Sequence, residues 1–247
     1  MDISDLKRAL EEAKPHCKPR VLAVINPGNP TGSVLTHENI RKIIEFAYQE
    51  KLLIIADEVY QQNIYAKEAE FHSFKKVLRE MNLELEIASV MSLSKGFMGE
   101  CGLRAGYCEL VDVDPSVRAI FLKMLSARLC CSVLGQIGLD CVVNPPKPGE
   151  ASYELFCAER DAVLKDLKQK ARLAADSLNA IEGVQSNSVA GAMYAFPSIT
   201  IPPKAEQAAK EAGQKPDFFY ALRLLEQTGV CIVPGSGFGQ RPGKKVI

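Results

Sequence analysis

The surroundings of one lysine, Lys95, are suited to a reactive amine. Lys95 lies in the segment SVMSLSKGFMGECGLRAGY, between a serine-flanked apolar run and a series of glycines, and Arg104 follows nine residues later. A lysine held among apolar strands loses solvation, which favours the neutral amine, and a neutral amine can form an imine with a carbonyl. The residue therefore predicts covalent chemistry on a carbonyl compound.

If that carbonyl belongs to pyridoxal phosphate, the other groups of the molecule each need a protein partner. Its ring nitrogen needs a carboxylate in order to stay protonated and act as an electron sink. Its phenolic oxygen needs hydrogen-bond donors, and its phosphate needs an arginine, hydroxyls and backbone N–H groups. The sequence offers a candidate for each requirement, namely Asp57, Asn29, Tyr60, Ser92, Ser94 and Arg104.

Each candidate also has a plainer interpretation when it is taken alone. Asp57 could be a strand-end acid or a helix cap, and Tyr60 a half-buried tyrosine. The segment NPGNPTG around Asn29 has the composition of an ordinary turn. The two serines and the arginine could be polar strand residues and part of a surface ion pair. Taken together, the residues indicate a site because they occur in this order along the chain and each falls at the end of a predicted strand.

Other kinds of site are not indicated by the sequence. The glycines at 96, 99, 102 and 106 do not form the G-x-G-x-x-G fingerprint of a nicotinamide site, and neither a P-loop nor G-x-S-x-G is present. The eight cysteines form no C-x-x-C pair, and the three histidines lie far apart in sequence, so no metal site is expected.

Composition indicates an ordinary soluble globular protein. Thirty basic and thirty acidic residues cancel without a dense Lys/Arg run, so neither nucleic acid nor an anionic membrane is expected as partner. No apolar segment approaches the roughly 18 residues of a membrane span. The adjacent Cys130 and Cys131 suit neither a disulfide framework nor a redox motif, which favours reduced thiols inside the cell.

The pattern of apolar residues predicts an α/β fold. Short apolar runs in RVLAVIN, LLIIADEVY, EIASVMSLS and RAGYCELV predict strands, and a helix with Thr36 as its N-cap separates the first two. Such runs indicate a mainly parallel sheet covered by helices on both faces. Ligands of these sheets bind beyond the carboxyl ends of the strands, which is where the candidate residues fall.

The pattern changes after Asp114 and suggests two domains. Residues 114–143 read as helix, and the loop-rich NPPKPG that follows is the predicted boundary between residues 1–145 and residues 146–247. In the second part, Ser152 is the predicted N-cap of a long helix that reaches Ile181, with Gly183 at its end. AMYAFPSI and VCIVPG are predicted strands, so this part is expected to be a smaller α+β domain.

Together, NPGNPTG, ADEVY and SLSKGFMGECGLRAGY resemble the fold type I family of pyridoxal-phosphate enzymes, which has the aspartate-aminotransferase fold. Within it, FHSFKKVL, SKGFMGECG, AMYAFP and PGSGFGQ are most similar to the alanine aminotransferases. The similarity runs from about the N-terminal helix to Gln240. It implies an incomplete cofactor-binding large domain in residues 1–145 and a partial small domain in residues 146–247.

The resemblance implies a role for every candidate residue. Lys95 forms the imine with the cofactor and, once released, moves a proton between the substrate Cα and the cofactor C4′. Asp57 pairs with the pyridinium nitrogen, while Asn29 and Tyr60 donate hydrogen bonds to the phenolic oxygen. The phosphate is held by a set of three residues, Ser92, Arg104 and, more weakly, Ser94.

The activity implied by the resemblance is transamination between L-alanine and 2-oxoglutarate by a ping-pong cycle, in a homodimer of the cytoplasm or the mitochondrion. Two alternatives remain open. One is another fold type I aminotransferase or a lyase, with aromatic or broad amino acid specificity. The other is a truncated isoform without catalytic activity that acts as an interaction chain.

Family members are longer than this chain. The resemblance gives no match for their glycine-rich phosphate loop or for the aromatic residue that stacks on the cofactor. Arg241 does not match the arginine that clamps the substrate carboxylate, and RPGKKVI diverges from the expected segment. Missing central strands would leave sheet edges unpaired. The fragment alone is therefore expected to have little or no activity.

Overall fold

A computed structural model describes residues 1–128 and 130–239. The strands are β1 (Val21–Ile25), β2 (Leu53–Asp57), β3 (Ile87–Ser92), β4 (Gly106–Val111), β5 (Val184–Gln185) and β6 (Ser198–Ile199). The helices are α1 (Ile3–Ala13), α2 (His37–Gln49), α3 (Phe74–Glu80), α4 (Pro115–Ser126), α5 (Val133–Val143), α6 (Tyr153–Asn179), α7 (Pro203–Glu211) and α8 (Pro216–Thr228). Short 3₁₀ helices lie at Cys101–Leu103 and Gly235–Phe238.

The first four strands form one sheet in the order β1-β2-β3-β4. The first three run parallel, and β4 runs antiparallel to β3. The register places Ile25 beside Asp57 and Asp57 beside Val90. This confirms the predicted α/β fold with a mainly parallel sheet.

A hydrophobic core covers one face of this sheet. Val24, Ile54 and Ile87 are almost fully buried in one cluster with apolar residues of α1, α2 and α3. Each such side chain stabilises the fold by about 1.5–3 kcal/mol through burial. The predicted cap is present, because the Thr36 hydroxyl accepts a hydrogen bond from the Asn39 N–H at 3.2 Å and so fixes the start of α2.

Helices were predicted to cover both faces of the sheet, but the described helices leave the opposite face uncovered. Successive side chains of a strand alternate between the two faces, so Val21, Ile25 and Asp57 lie opposite the core residues. Val21 is 49% exposed and Ile25 is 38% exposed, because the described helices that pack on the sheet lie in the cluster on its first face. This second face is therefore accessible where β2 and β3 end.

The region between residues 114 and 143 was predicted as helix and contains two helices. α4 ends at Ser126, and α5 begins at Val133, where the Ser132 hydroxyl accepts from the Gly135 N–H at 3.2 Å. Apolar residues of both helices are exposed, including Ile120 at 61%, Met124 at 68% and Leu134 at 69%. Both helices therefore expose several large apolar side chains in the described part of the chain.

The C-terminal part has less strand structure than predicted. Of AMYAFPSI, only Ser198–Ile199 is a strand, paired antiparallel with Val184–Gln185, and VCIVPG is not a strand. An apolar run becomes a strand only where its backbone meets a partner, and residues 230–234 find no ladder within the described residues. The predicted long helix is present as α6 and ends at Asn179, before Ile181; Ser152 occupies its N-cap position, but the Ser152 side chain makes no capping hydrogen bond.

The predicted boundary near residue 145 remains a proposal. Residues 146–239 hold α6, the β5–β6 pair, α7 and α8. The segment around Gly191 nevertheless lies against the strand-end loops of the first part. Its N–H donates to the Gly32 carbonyl at 2.9 Å, and Gly191 forms an isolated bridge with Ile64.

One close backbone approach leads to a stability prediction. A Cβ atom on Gly106 would lie 2.3 Å from the Met91 carbonyl oxygen, where β4 pairs with the end of β3. Gly106→Ala is expected to lower the free energy of unfolding by about 1–3 kcal/mol because the strands must separate. Urea titration followed by circular dichroism measures this change.

The matched control is Gly102→Ala, since no atom lies within 4 Å of a Cβ built there. Its unfolding midpoint should stay close to that of the unsubstituted chain. Equal midpoints for both variants would contradict the assigned contact at Gly106.

Candidate active site

The site is built at one edge of the sheet. Parallel strands end on the same side, so β1, β2 and β3 bring Ile25, Asp57 and Ser92 to a common edge. The Asn26 N–H donates to the Asp57 carbonyl at 3.0 Å and continues the ladder into the next loop. The loops that follow these strands carry the other candidate residues.

Two consecutive carboxylates end up on opposite sides of the sheet. Asp57 is half-buried, and its Oδ1 accepts from the Val59 N–H at 3.3 Å. Glu58 is buried, accepting from the Phe74 N–H at 2.9 Å and from the Ser89 hydroxyl at 2.5 Å. Glu58 thus anchors the start of α3 to β3, while Asp57 lies on the accessible face.

The pKa of Glu58 is raised, chiefly because burial removes water from its charged form. The hydrogen bonds from Ser89 and Phe74 act in the opposite direction and lower the pKa, though by less. Glu58 is therefore a structural acid that holds its proton more tightly than an exposed glutamate.

Lys95 lies in a turn directly after β3. Its N–H donates to the Ser92 carbonyl at 3.4 Å, and its own carbonyl accepts from the Gly99 N–H at 3.4 Å. A Cβ on the next residue, Gly96, would lie 3.6 Å from the Val59 carbonyl oxygen. The turn that carries Lys95 therefore packs against the segment that follows Asp57.

Arg104 folds back toward the same turn. Its Nη1 donates to the Ser94 hydroxyl at 3.2 Å and to the Cys101 carbonyl at 3.0 Å. Ser92 accepts from the Ser94 N–H at 3.2 Å, which joins both predicted phosphate serines to the arginine. The Arg104 backbone is left-handed, with φ of 54°, a conformation that costs a residue with a Cβ roughly 1 kcal/mol or more.

Tyr60 is almost fully buried, and its hydroxyl lies 2.6 Å from that of Tyr194. Burial raises the pKa of Tyr60, and the contact with Tyr194 raises it further. Tyr60 therefore keeps its proton at neutral pH and remains a hydrogen-bond donor.

Asn29 lies in the loop after β1, and its side chain is exposed. The loop is held by Asn26 instead, whose buried Oδ1 accepts from the Leu35 N–H at 2.9 Å. Gly28 N–H also donates to the Ser33 carbonyl at 2.8 Å, and both Asn–Pro peptides are cis. Asn29 and Tyr194 line the same largely apolar cavity of about 530 Å³.

Comparison with known proteins identifies the family. The model of aminotransferase class I and II matches residues 1–244. The chain belongs to the class I and II aminotransferase family. It is 55% identical to alanine aminotransferase 2 of Xenopus laevis, over 98% of this chain and 46% of that protein. It is 49% identical to mitochondrial alanine aminotransferase 2 of Arabidopsis thaliana, over 98% of this chain and 46% of that protein.

A solved structure supports the same fold. The alanine aminotransferase of Pyrococcus furiosus superimposes with a TM-score of 0.77 at 26% identity, covering 99% of this chain and 55% of that one. The aspartate-aminotransferase-like fold predicted from the motifs is thereby confirmed. This aminotransferase chain spans about half the length of the curated relatives it matches.

Three residues that shape the candidate site of this aminotransferase chain were not singled out from the sequence. Tyr194 lies far along the chain in AMYAFP, and only the fold brings it to Tyr60. Glu58 stands beside Asp57, and period-two alternation could have indicated that the two face opposite ways. Asn26 opens NPGNPTG, where its buried amide determines the loop. Arg241, which the motifs did not match to a substrate clamp, lies outside the described residues.

The described residues contain neither a cluster suited to a metal ion nor a helix suited to crossing a membrane. Within residues 1–128 and 130–239, no group of three or more His, Cys, Asp or Glu side chains is placed to hold a metal ion. In the same part of the chain, no helix combines the length and the apolar character that crossing a membrane requires.

Glu58 leads to a prediction about pH. Its raised native pKa means that folding favours the protonated acid, so this contribution to stability is complete below the unfolded pKa of about 4.3. The contribution is lost as pH rises through the native pKa. Glu58→Gln keeps an acceptor for the Phe74 N–H without the charge. Its free energy of unfolding, relative to the unsubstituted chain, should therefore increase from pH 4 to pH 7.5 in urea titrations.

Glu58→Ala is the paired variant, because it leaves the buried Phe74 N–H and the Ser89 hydroxyl without their acceptor. At pH 4, where the carboxyl is protonated, it should cost about 1–3 kcal/mol, and the cost should be smaller at pH 7.5, where the unsubstituted chain carries the buried charge. A stability difference between Glu58→Gln and the unsubstituted chain that stays constant with pH would refute the assigned role of burial.

Proposed function

We propose that this chain holds pyridoxal phosphate at the carboxyl ends of β2 and β3 and takes part in transamination. The proposed substrates are L-alanine and 2-oxoglutarate, which exchange an amino group by a ping-pong cycle. Family membership supports the reaction class, and the alanine aminotransferases among the relatives support the substrates.

The observation that carries the proposal is a cation without a counter-charge. Within the described residues, no carboxylate pairs with Arg104, although its backbone is held in a costly conformation beside Ser92 and Ser94. An arginine with nearby hydroxyls and turn N–H groups is suited to a phosphate. The residues present therefore fit the phosphate end of the cofactor.

The other end of the cofactor also finds suitable residues. Asp57 Oδ2 has no hydrogen-bond partner in the described part of the chain, so a carboxylate oxygen is available for a protonated ring nitrogen. Tyr60, as a protonated phenol, can donate to a phenolic oxygen, and Asn29 lies in the adjacent loop. Lys95 lies in the turn that packs against the segment following Asp57, and Arg104 donates to Ser94 of the same turn.

The chain's residues would divide the work as follows. Lys95 Nζ would remove the proton from the Cα of the donor amino acid. In the second half-reaction, it would return a proton to the Cα of the product amino acid. Asp57 stabilises positive charge on the ring, while Arg104 and the serines fix the phosphate so that the ring keeps its orientation. When bound, pyridoxal phosphate supplies the electron-withdrawing ring that accepts the electron pair of the broken Cα–H bond.

The assembly and the compartment are also proposals. We infer a homodimer, and the exposed apolar side chains of α4 and of α5 support a covered interface, since exposed apolar residues in number mark interaction sites. Cytoplasm or mitochondrion remains the proposed location, and the name of the Arabidopsis relative supports the mitochondrion.

The attachment point can be tested directly. After incubation with pyridoxal phosphate and reduction with borohydride, peptide mapping by mass spectrometry should find the cofactor on Lys95. Lys95→Ala should remove this label, whereas Lys51→Ala, which changes an exposed lysine, should not. Equal labelling of many lysines, with none preferred, would contradict the proposal.

The phosphate role of Arg104 predicts a selective loss of affinity. Arg104→Ala should weaken binding of pyridoxal phosphate about 10- to 100-fold, the effect of a lost charge-assisted hydrogen bond. Binding of pyridoxal, which lacks the phosphate, should change little. Fluorescence titration with both ligands measures the two affinities.

Arg118→Ala serves as the control, because Arg118 is an exposed arginine on α4. It should leave both affinities unchanged. If Arg104→Ala weakened both ligands equally, Arg104 would be assigned a structural role and not phosphate binding.

A further inference from the structure

Tyr194 lies on a segment that is bonded to two strand-end loops at once. Ala192 N–H donates to the Asn63 carbonyl at 3.0 Å, in the loop that follows Tyr60. Gly191 N–H donates to the Gly32 carbonyl at 2.9 Å, in the loop that carries Asn29. The backbone around Tyr194 is thus fixed to both loops from which donors to a cofactor oxygen are proposed.

The fit between these segments leaves little room for movement. Gly32 has a φ of 64°, and a Cβ there would lie 2.6 Å from the Tyr194 carbonyl oxygen. The rings of Tyr60 and Tyr194 meet edge to face, with centroids 5.7 Å apart and planes at 87°. Ala192 and Tyr60 are buried in one cluster against which Tyr194 packs. The 2.6 Å hydroxyl contact is therefore built into the packing.

The two hydroxyls have one proton each, so the direction of their hydrogen bond matters. If Tyr60 donates to Tyr194, its proton is no longer available to another acceptor. If Tyr194 donates to Tyr60, the Tyr60 proton is free for a ligand oxygen. A bond to an anionic oxygen is roughly twice as strong as one between neutral groups, so an anion at the site favours the second direction.

We propose that Tyr194 is a positioning residue, which donates to the Tyr60 hydroxyl and so directs the Tyr60 proton to an anionic oxygen of the bound cofactor. This role rests on the proposed function. Hydrogen bonds arranged in a chain polarise one another, so the Tyr194 donor strengthens the bond that Tyr60 makes. Tyr194 itself touches Tyr60 and acts through it.

The role predicts a spectroscopic change. The 247-residue chain is reconstituted with pyridoxal phosphate, and the visible absorbance of the bound chromophore is titrated with pH. Tyr194→Phe keeps the ring and removes the hydroxyl, so the anionic form of the cofactor oxygen loses stabilisation. The pKa of the chromophore should rise by about half to one unit, and Tyr60→Phe should raise it further.

Two further variants make the test specific. Adding Tyr194→Phe to Tyr60→Phe should give no additional shift, because the second hydroxyl acts only through the first. Tyr65→Phe changes another buried tyrosine, whose hydroxyl accepts from Asn63 Nδ2 at 3.1 Å, and should leave the chromophore pKa unchanged.

The possible failures can be told apart. An unchanged chromophore pKa in Tyr194→Phe, or an equal shift in the Tyr60→Phe background, would overturn the role of Tyr194 and leave the proposed function intact. A chain without substitutions that forms no chromophore would overturn the proposed function and this role together.

Discussion

The parallel alignment of β1, β2 and β3 is the constraint on which the site depends. It brings Ile25, Asp57 and Ser92 to one edge, and every loop that carries a candidate residue begins there. Parallel strands also require long crossover connections, and α2 and α3 form part of these connections. Their apolar residues supply the core on one face of the sheet. The same topology therefore provides both the scaffold and the position of the candidate residues.

The alternation of side chains along β2 and β3 divides stabilising residues from accessible ones. Ile54, Ile87 and Ser89 face the helices, where Glu58 fixes the start of α3. Asp57 and Ser92 face the other way, toward the open face of the sheet. Two acids that are adjacent in sequence thus have different environments, because a single peptide unit separates buried from accessible surroundings.

The fold class was predictable from the sequence, and the cofactor candidates could be proposed from it, because the signals of both are local. An apolar run ended by Asp57, or a lysine followed by glycines, is visible within a few residues. The strand predicted in VCIVPG was wrong, because a strand depends on a partner elsewhere in the chain. The uncovered face of the sheet was missed for a related reason, since apolar strands show that they need cover but not whether cover is present.

The sequence by itself determined the types of the candidate residues, their order along the chain and the mainly parallel sheet that brings them together. Only the tertiary structure decided which side chains meet over long separations. Tyr60 and Tyr194 are 134 residues apart, yet their hydroxyls form a hydrogen bond. Arg104 reaches Ser94 through a left-handed backbone that no local preference favours. These contacts carry costs in chain entropy and backbone conformation. Packing and main-chain hydrogen bonds across the whole fold offset those costs, which a short segment could not do by itself.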